Sequence, residues 1–510
     1  MKYQILWTDM HSNIHHEDIQ QLHVWYQHAK KTLDFWPIAY YPYYVRKINE
    51  HFGVEDRHQD QLIEEDWLMI KNLAKQAEAD GFPFYMGYEW QGSGQDGDHN
   101  VFFLDNDQKM TFPLRYEDLR DHYQNKPVIA IPHHLAYQLS DRGKNWSTHD
   151  ETFSPVVEIF SSHGSSENDE THIEMKRHIH MGPRTGQTSV EAGLKDKLRF
   201  GIMASGDNHS CPAVYGFGLC AVLSEDNSKE AIWDAINKRR TYGVSKDRIK
   251  LEFTIDGMPM GSVIKANDNA QLKIKVEGSN AIDRIEIITN NIVHEMIAHT
   301  STYENEPMNG VVKFKFQLEL GWGPDRRHFA DIDQKDWHGK LTTKGKIISV
   351  EKCWSTFKKE IVKLDDNSCQ FNITTYKSTA SGKWMGPSAI TTEGFIFEIE
   401  DDINNAIHLA IEGQEYDIPI KQILDNSTLF GLYDEAKKLL EEIFAFTSYY
   451  RNDPFWHNAY KIKINKGVVE KGYKREISRM INTNMFDHIR VRIWQKDGSC
   501  AWSSPIFIDK

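Results

Sequence analysis

Cysteine is scarce in this sequence. The 510 residues hold five, Cys211, Cys220, Cys353, Cys369 and Cys500, and none belongs to a CxxC pair. This argues against a disulfide framework and gives no thiolate pair for a metal. Long apolar runs are also absent. No stretch of 18 residues is continuously apolar, and the opening MKYQILWTDMHSN carries no apolar leader segment. The expectation is a soluble, cytoplasmic chain with no membrane partner. Excess positive charge is missing too. Lys and Arg number 60 against 74 Asp and Glu, a formal charge of −14. Nucleic acid is therefore not an expected partner, because phosphate backbones need a basic surface. The serines near His163 (Ser161, Ser162, Ser165, Ser166) lack a GxSxG elbow, which weakens a serine-hydrolase reading. His294 and His299 flank Glu295 but stand five apart, whereas the HExxH zinc helix needs four. No repeat of 20–50 residues or low-complexity segment occurs.

Histidine is what the chain has. Seventeen of its 24 histidines fall in the first 210 residues. That half alternates short apolar runs with amphipathic stretches, the βα pattern of an α/β domain. Strands are expected at Tyr3–Trp7, Phe35–Ala39, Phe84–Gly87, Val101–Leu104, Val128–Ile131, Val156–Phe160 and Phe200–Ala204, with helices at Glu64–Asp80 and Lys229–Arg239. The length exceeds one hydrophobic core, and the texture changes near residue 245. From Lys250 the chain reads as alternating strands separated by turn signals such as Asp256–Gly257, with one helix at Leu432–Phe446. The expected division is an α/β domain over 1–247 and a mainly β, sandwich-like domain over 248–510.

Five of the first-half strands deliver Asp, Glu or His just past their C-terminal ends. Asp9, His11 and Asn13 follow the first, and Glu89 follows Phe84–Gly87. His133 and His134 follow Val128–Ile131, His163 follows Val156–Phe160, and Asp207, Asn208 and His209 follow Phe200–Ala204. In parallel α/β sheets and barrels that edge carries the active site, so residues distant in sequence would converge. Imidazole and carboxylate without thiolate suit Zn, Mn or Fe. The expected ligands are His11, Asn13, Glu89, His133, His134, His163, Asp207 and His209, with the choice between His133 and His134 left open.

These residues resemble the PHP superfamily, named for its polymerase-associated and histidinol phosphatase members. Its opening DxHxH segment corresponds to Asp9–Met10–His11–Ser12–Asn13, and its closing Asp-x-His to Asp207–Asn208–His209. The likeness is closer to a large, mostly uncharacterised PHP-like branch. It shares stretches similar to Gly87–Tyr88–Glu89–Trp90, His99–Asn100, Ile131–Pro132–His133–His134, Glu158–Ile159–Phe160–Ser161–Ser162–His163–Gly164, Arg239–Arg240–Thr241–Tyr242 and Ala501–Trp502–Ser503–Ser504–Pro505–Ile506. The resemblance implies a distorted (β/α)7 TIM-like barrel and a metal-dependent hydrolase of phosphoesterase type that uses a metal-activated water. Two departures stand out. Asn13 replaces the second histidine of the opening pair, and Ala39–Tyr40–Tyr41–Pro42 stands where a Thr–Asp–His segment is expected. One or two ions are therefore expected rather than three. His15, His16 and His23 are substitutes to weigh against a polar loop or helix face.

Catalytic roles are assigned to His134, Tyr40 and Tyr41, with one of His133, His134 or His209 protonating a leaving group and the tyrosines acting as acids or hydrogen donors. Substrate contacts are assigned to His99, Asn100 and Arg240. Trp90, Trp146 and His149 are loop aromatics that fit either stacking of an apolar or sugar-like substrate or surface and lid packing. The substrate is expected to be small or sugar-like. A lyase acting on an acidic sugar is the alternative, and a non-catalytic metal- or ligand-binding protein is a further one. Homo-oligomerisation through the β domain is left open.

Overall fold

The computed structural model describes residues 3–173, 181–299, 308–324, 329, 334–376 and 392–510. The chain is mixed α/β with extensive sheet. It divides into two compact units. The first takes residues 1–278, 282–298 and 475–510, and the second residues 279–281 and 299–474. The expected cut at 247/248 thus falls inside the first unit.

Strand pairing explains the difference. Thr241–Val244 pairs antiparallel with Cys500–Ser503, joining Tyr242 to Ser503. His488–Gln495 then pairs with Ile282–Thr289. One large sheet therefore runs from Gln4–Thr8 through Leu219–Ser224, Thr241–Val244, Cys500–Ser503, His488–Gln495 and Ile282–Thr289 to Ile292–Ala298. The strands between residues 488 and 509 complete the sheet that the first strand begins. The sequence pattern cannot show this, because the pairing spans some 260 residues.

The other strands of the first 210 residues form two more sheets and a separate hairpin of Tyr43–Lys47 with Gly53–Arg57. Asn13–His15, Ala39–Tyr41 and Phe84–Trp90 run parallel, and His99–Phe103 and Val128–Pro132 continue that sheet antiparallel. Val156–Ser161 pairs in parallel with Gly201–Ala204. These ladders do not form a single ring of seven parallel strands, as the barrel expectation required. The hairpin from Phe84–Trp90 to His99–Phe103 reverses the chain where a crossover helix would be needed, and the first strand pairs antiparallel with Leu219–Ser224.

Local signals are otherwise well matched. Four strands lie within two residues of their expected ends, because both faces are buried and the apolar runs are continuous, and the one expected at Phe84–Gly87 runs three residues further. Helix Asp60–Ala79 buries Ile63, Trp67, Ile70, Leu73, Ala74 and Ala77, a stripe at helical spacing. The Trp67 ring meets Phe103 edge-on at 5.9 Å. Helix Lys229–Asn237 is capped by Ser228, whose Oγ accepts from the Ala231 amide at 3.2 Å.

The second unit carries two antiparallel sheets around one core that includes Phe314, Phe316, Trp337, Phe371, Phe395 and Leu409. Gln334–Thr342 alternates buried and exposed positions, as a strand with one core face must. The sandwich expected beyond residue 248 is found in this unit. All five cysteines are buried. No helix among the described residues is long and apolar enough to cross a membrane.

Candidate metal centre

Strand ends of the first unit bring the chemistry together. His11 is fully buried, and its Nε2 lies 3.4 Å from Glu89 Oε2, 3.4 Å from Asp207 Oδ1 and 3.2 Å from Asn13 Nδ2. Behind it, His11 Nδ1 meets Glu158 Oε2 at 3.1 Å. The His133 ring lies 4.1 Å from that of His11, and His133 Nε2 is 3.9 Å from Glu89 Oε1. His163 Nε2 is 3.0 Å from Asp207 Oδ2, while its Nδ1 is held 2.6 Å from the Tyr137 hydroxyl. Donor atoms converge within 4.8 Å in three groups: His11, Glu89 and His133; His11, Glu158 and Asp207; and Asp98, His133 and His134.

Backbone features hold these positions. The Asp9 carboxylate does not join the cluster. It accepts the amides of His11 (3.0 Å), Gly206 (2.8 Å) and Ala213 (2.9 Å), tying the first loop to the last. Burial lifts its pKa to about 6 against those amides. A Cβ at residue 206 would come 2.6 Å from Asn208 Nδ2 and 2.8 Å from Asp9 Oδ2, so any larger residue there would displace these side chains. Asp207 and His134 both have left-handed backbone, with φ of 46° and 34°. Such conformations concentrate at functional sites, and Asp tolerates them through its short polar side chain.

The residues fit a divalent cation. Glu89, Glu158, Asp98 and Asp207 are each at least 93% buried, and packing four carboxylates together without a compensating cation is costly. Neither ring nitrogen of His133 has a hydrogen bond, nor does Asn13 Oδ1 or His134 Nδ1. Burial opposes the charged form of His11, but Asp207, Glu158 and Glu89 outweigh it and push its pKa well above the usual value. Burial instead drives His133 and His134 well below theirs, so both stand as neutral imidazoles, the form that binds metal.

Six expected ligands therefore meet: His11, Asn13, Glu89, His133, His163 and Asp207. His134 stands beside them, its ring 4.4 Å from that of His133 and its Nε2 3.6 Å from Asp98 Oδ2. His209 sits with its Nδ1 2.6 Å from His15 Nε2 and against the Tyr41 ring, and it interacts electrostatically with Asp207, His11 and His163. His15 thus reaches the site's edge, whereas His16 pairs with Asp66. The two tyrosines part company because they alternate along one strand. Tyr40 donates to Asp66 at 2.7 Å, on the other face of the strand from Tyr41. Tyr41 donates to Glu55 and accepts from Gln91 Nε2 at 3.1 Å, and Gln91 in turn reaches Glu89.

Of the expected substrate contacts, Asn100 alone shares the cluster's face. It pairs across the ladder with Glu89, and both its amide atoms are buried without partners. His99 points to the opposite face. Its Nδ1 binds the Gly97 carbonyl at 2.9 Å and its Nε2 meets Lys144 Nζ at 3.2 Å. Burial lowers Lys144 to about 7. Arg240 pairs with Asp234 at 2.9 Å and covers the Tyr3 ring, so it braces a helix end rather than the centre.

Sequence reasoning missed Glu158, Asp98, Tyr137, Arg142 and Arg184. Glu158 is the most consequential. Its Oε2 accepts from Ser205 Oγ at 2.5 Å and faces His11, while its Oε1 accepts the His134 amide at 3.0 Å. A carboxylate behind an imidazole fixes the tautomer and aims the other nitrogen. Glu158→Gln is expected to lower metal affinity by about 10–100-fold with the fold intact. Metal titration followed by circular dichroism and calorimetry would check this, and unchanged affinity would remove Glu158 from the centre.

The comparisons with known proteins name no activity for this chain. The family described as "Protein of unknown function (DUF3604)" matches residues 161–304. An uncharacterised protein of Chlamydia pneumoniae is 25% identical over 57% of this chain and 51% of its own length. Another, of Chlamydia trachomatis, is 31% identical over 35% of this chain and 31% of its own. The chain thus spans about half or less of these relatives. Among solved structures, a two-domain protein of Bacteroides vulgatus described as containing a predicted PHP-like metal-dependent phosphoesterase aligns over 82% of this chain and 95% of its own. Its identity is 12% and its TM-score 0.33.

Proposed function

We propose that the chain is a metal-dependent hydrolase of phosphoesterase type acting on a small or sugar-like substrate. The observation that carries this reading is the surround of His11: Glu89 and Asp207 at its Nε2, Glu158 at its Nδ1 and an unbonded His133 beside it. His11, Asn13, Glu89, His133, His163 and Asp207 would hold one or two ions of Zn, Mn or Fe class. Such an ion, when bound, supplies an activated water at neutral pH and an electrophile beside the scissile bond.

The chain's own groups do the rest. Glu158 keeps the His11 proton on Nδ1 and leaves Nε2 free. Tyr137 holds the His163 ring through Nδ1. His134 carries the proton transfer, because its Nδ1 is buried and unbonded while its Nε2 faces Asp98. Asn100 offers an amide to substrate from the same face as Glu89. The lyase alternative needs a tyrosine or histidine base. Burial, with Glu89 and Glu55 nearby, pushes the Tyr41 pKa well above 10 and keeps its proton in place, which speaks against Tyr41 as that base.

The test is metal removal and restoration. Chelator-treated protein is expected to lose activity on a panel of phosphate mono- and diesters by more than about 100-fold, and added Zn or Mn to restore it. Turnover confined to carboxylic esters would replace the phosphoester assignment. An ultraviolet-absorbing unsaturated product without incorporation of solvent oxygen would replace hydrolysis with elimination.

A further inference from the structure

Several arginines packed into the first unit are matched to carboxylates. Arg142 binds Asp98 and Glu55, Arg490 binds Glu167 and Glu191, and Arg492 binds Glu286. Arg184 has no carboxylate partner among the described residues. Its terminal nitrogens donate to the His163 carbonyl and the Ser166 hydroxyl, both uncharged acceptors. Its Nε is buried with no hydrogen bond, and its guanidinium lies 4.9 Å from the centre of the Tyr137 ring. Tyr137 and the His163 loop border the proposed centre, and the Arg184 charge interacts with Glu158 and Asp207.

Arg184 is half-buried, and its inward-facing Nε has no hydrogen bond, so an anion that accepted from this side of the fork would complete it. Neutral acceptors satisfy geometry but not charge. The planar fork suits an oxyanion, because a phosphate, sulfate or carboxylate accepts two donors at once. Glu158 and Asp207 cannot both serve the centre and neutralise Arg184. The missing charge therefore points to a ligand.

We propose that Arg184 is a substrate-binding residue that pairs with an oxyanionic group of the substrate, on the side of the centre walled by Tyr137 and His163. The substrate is then an anion whose charged group reaches Arg184 while its scissile bond lies at the metal. This inference rests on the proposed hydrolase reading, and its test separates the two.

The experiment is thermal unfolding of metal-loaded protein titrated with inorganic phosphate and, in parallel, sulfate, with metal content measured on the same samples. Wild type is expected to gain stability with the anion. Arg184→Gln should raise the half-saturating concentration by about 10–100-fold at unchanged metal content. Arg184→Lys, which keeps the charge but loses the fork, should fall between and guards against a folding failure of the first variant. An Arg184→Gln protein with wild-type half-saturation, or a wild type that responds to neither anion, overturns the proposal and leaves the metal centre standing. An anion response through Arg184 in a chain that never takes up metal overturns the hydrolase reading and keeps the anion site.

Discussion

Asp207→Asn is expected to fold like wild type yet retain less than about a tenth of its metal and lose more than about 100-fold in hydrolytic rate. The bound is set by outer-shell partners, whose loss alone costs about 10–100-fold. Asp207 stands closer in. Its two oxygens face His11 Nε2 at 3.4 Å and His163 Nε2 at 3.0 Å, so it spans the two imidazoles from different strands. Burial raises its pKa, but His11, His163 and His134 outweigh burial and hold it ionised well below the usual range. Asparagine keeps the size and tolerates the left-handed backbone at φ 46°, where alanine would add strain. The variant therefore removes charge and little else. Elemental analysis of purified protein, with circular dichroism to confirm the fold, decides it. A folded Asp207→Asn protein at full metal content would end the case for this centre.

Much of that centre was legible from strand ends alone. His11, Glu89, His133, His163 and Asp207 follow continuous apolar runs, which fully buried strands produce. Glu158 was hidden by the same logic. It sits inside the run Val156–Val157–Glu158–Ile159–Phe160, and the run registered as a strand while its one charge went unread. A lone carboxylate in a buried strand needs a partner, and that signal could have found it. Tyr40 and Tyr41 were assigned together although adjacent strand residues face opposite ways. Asp98 and Arg184 lie in polar loops, where nothing local distinguishes a site residue from a turn. The barrel expectation failed for a different reason. Whether a strand pairs parallel or antiparallel depends on partners far along the chain, as Thr241–Val244 with Cys500–Ser503 shows.

Those distant strands carry the second large expectation. Glu167→Ala is expected to destabilise the protein by about 3–5 kcal/mol, the usual result of removing one partner from a buried ion pair. Glu167 is fully buried. It accepts from Arg490 Nη1 at 2.7 Å and Trp502 Nε1 at 2.9 Å, and its Oε1 also lies 2.8 Å from Arg492 Nη1. Burial alone would raise its pKa, but the two arginines outweigh it and keep it below the usual value. Alanine leaves Arg490 with Glu191 and Arg492 with Glu286, so neither guanidinium is stripped of every partner, yet both lose their shared one. Glu167 also closes the loop that carries His163, four residues before it, and its amide is held by Ser165 Oγ at 3.1 Å. Loss of stability should therefore travel with weaker metal binding, which a purely distant core change would leave alone. Urea denaturation of metal-free protein measures the first effect and metal titration under native conditions the second. A loss under about 1 kcal/mol would mean that the Arg490 and Arg492 charges are already balanced by Glu191 and Glu286. The C-terminal strands would then be packing partners of the site loop rather than its electrostatic anchor.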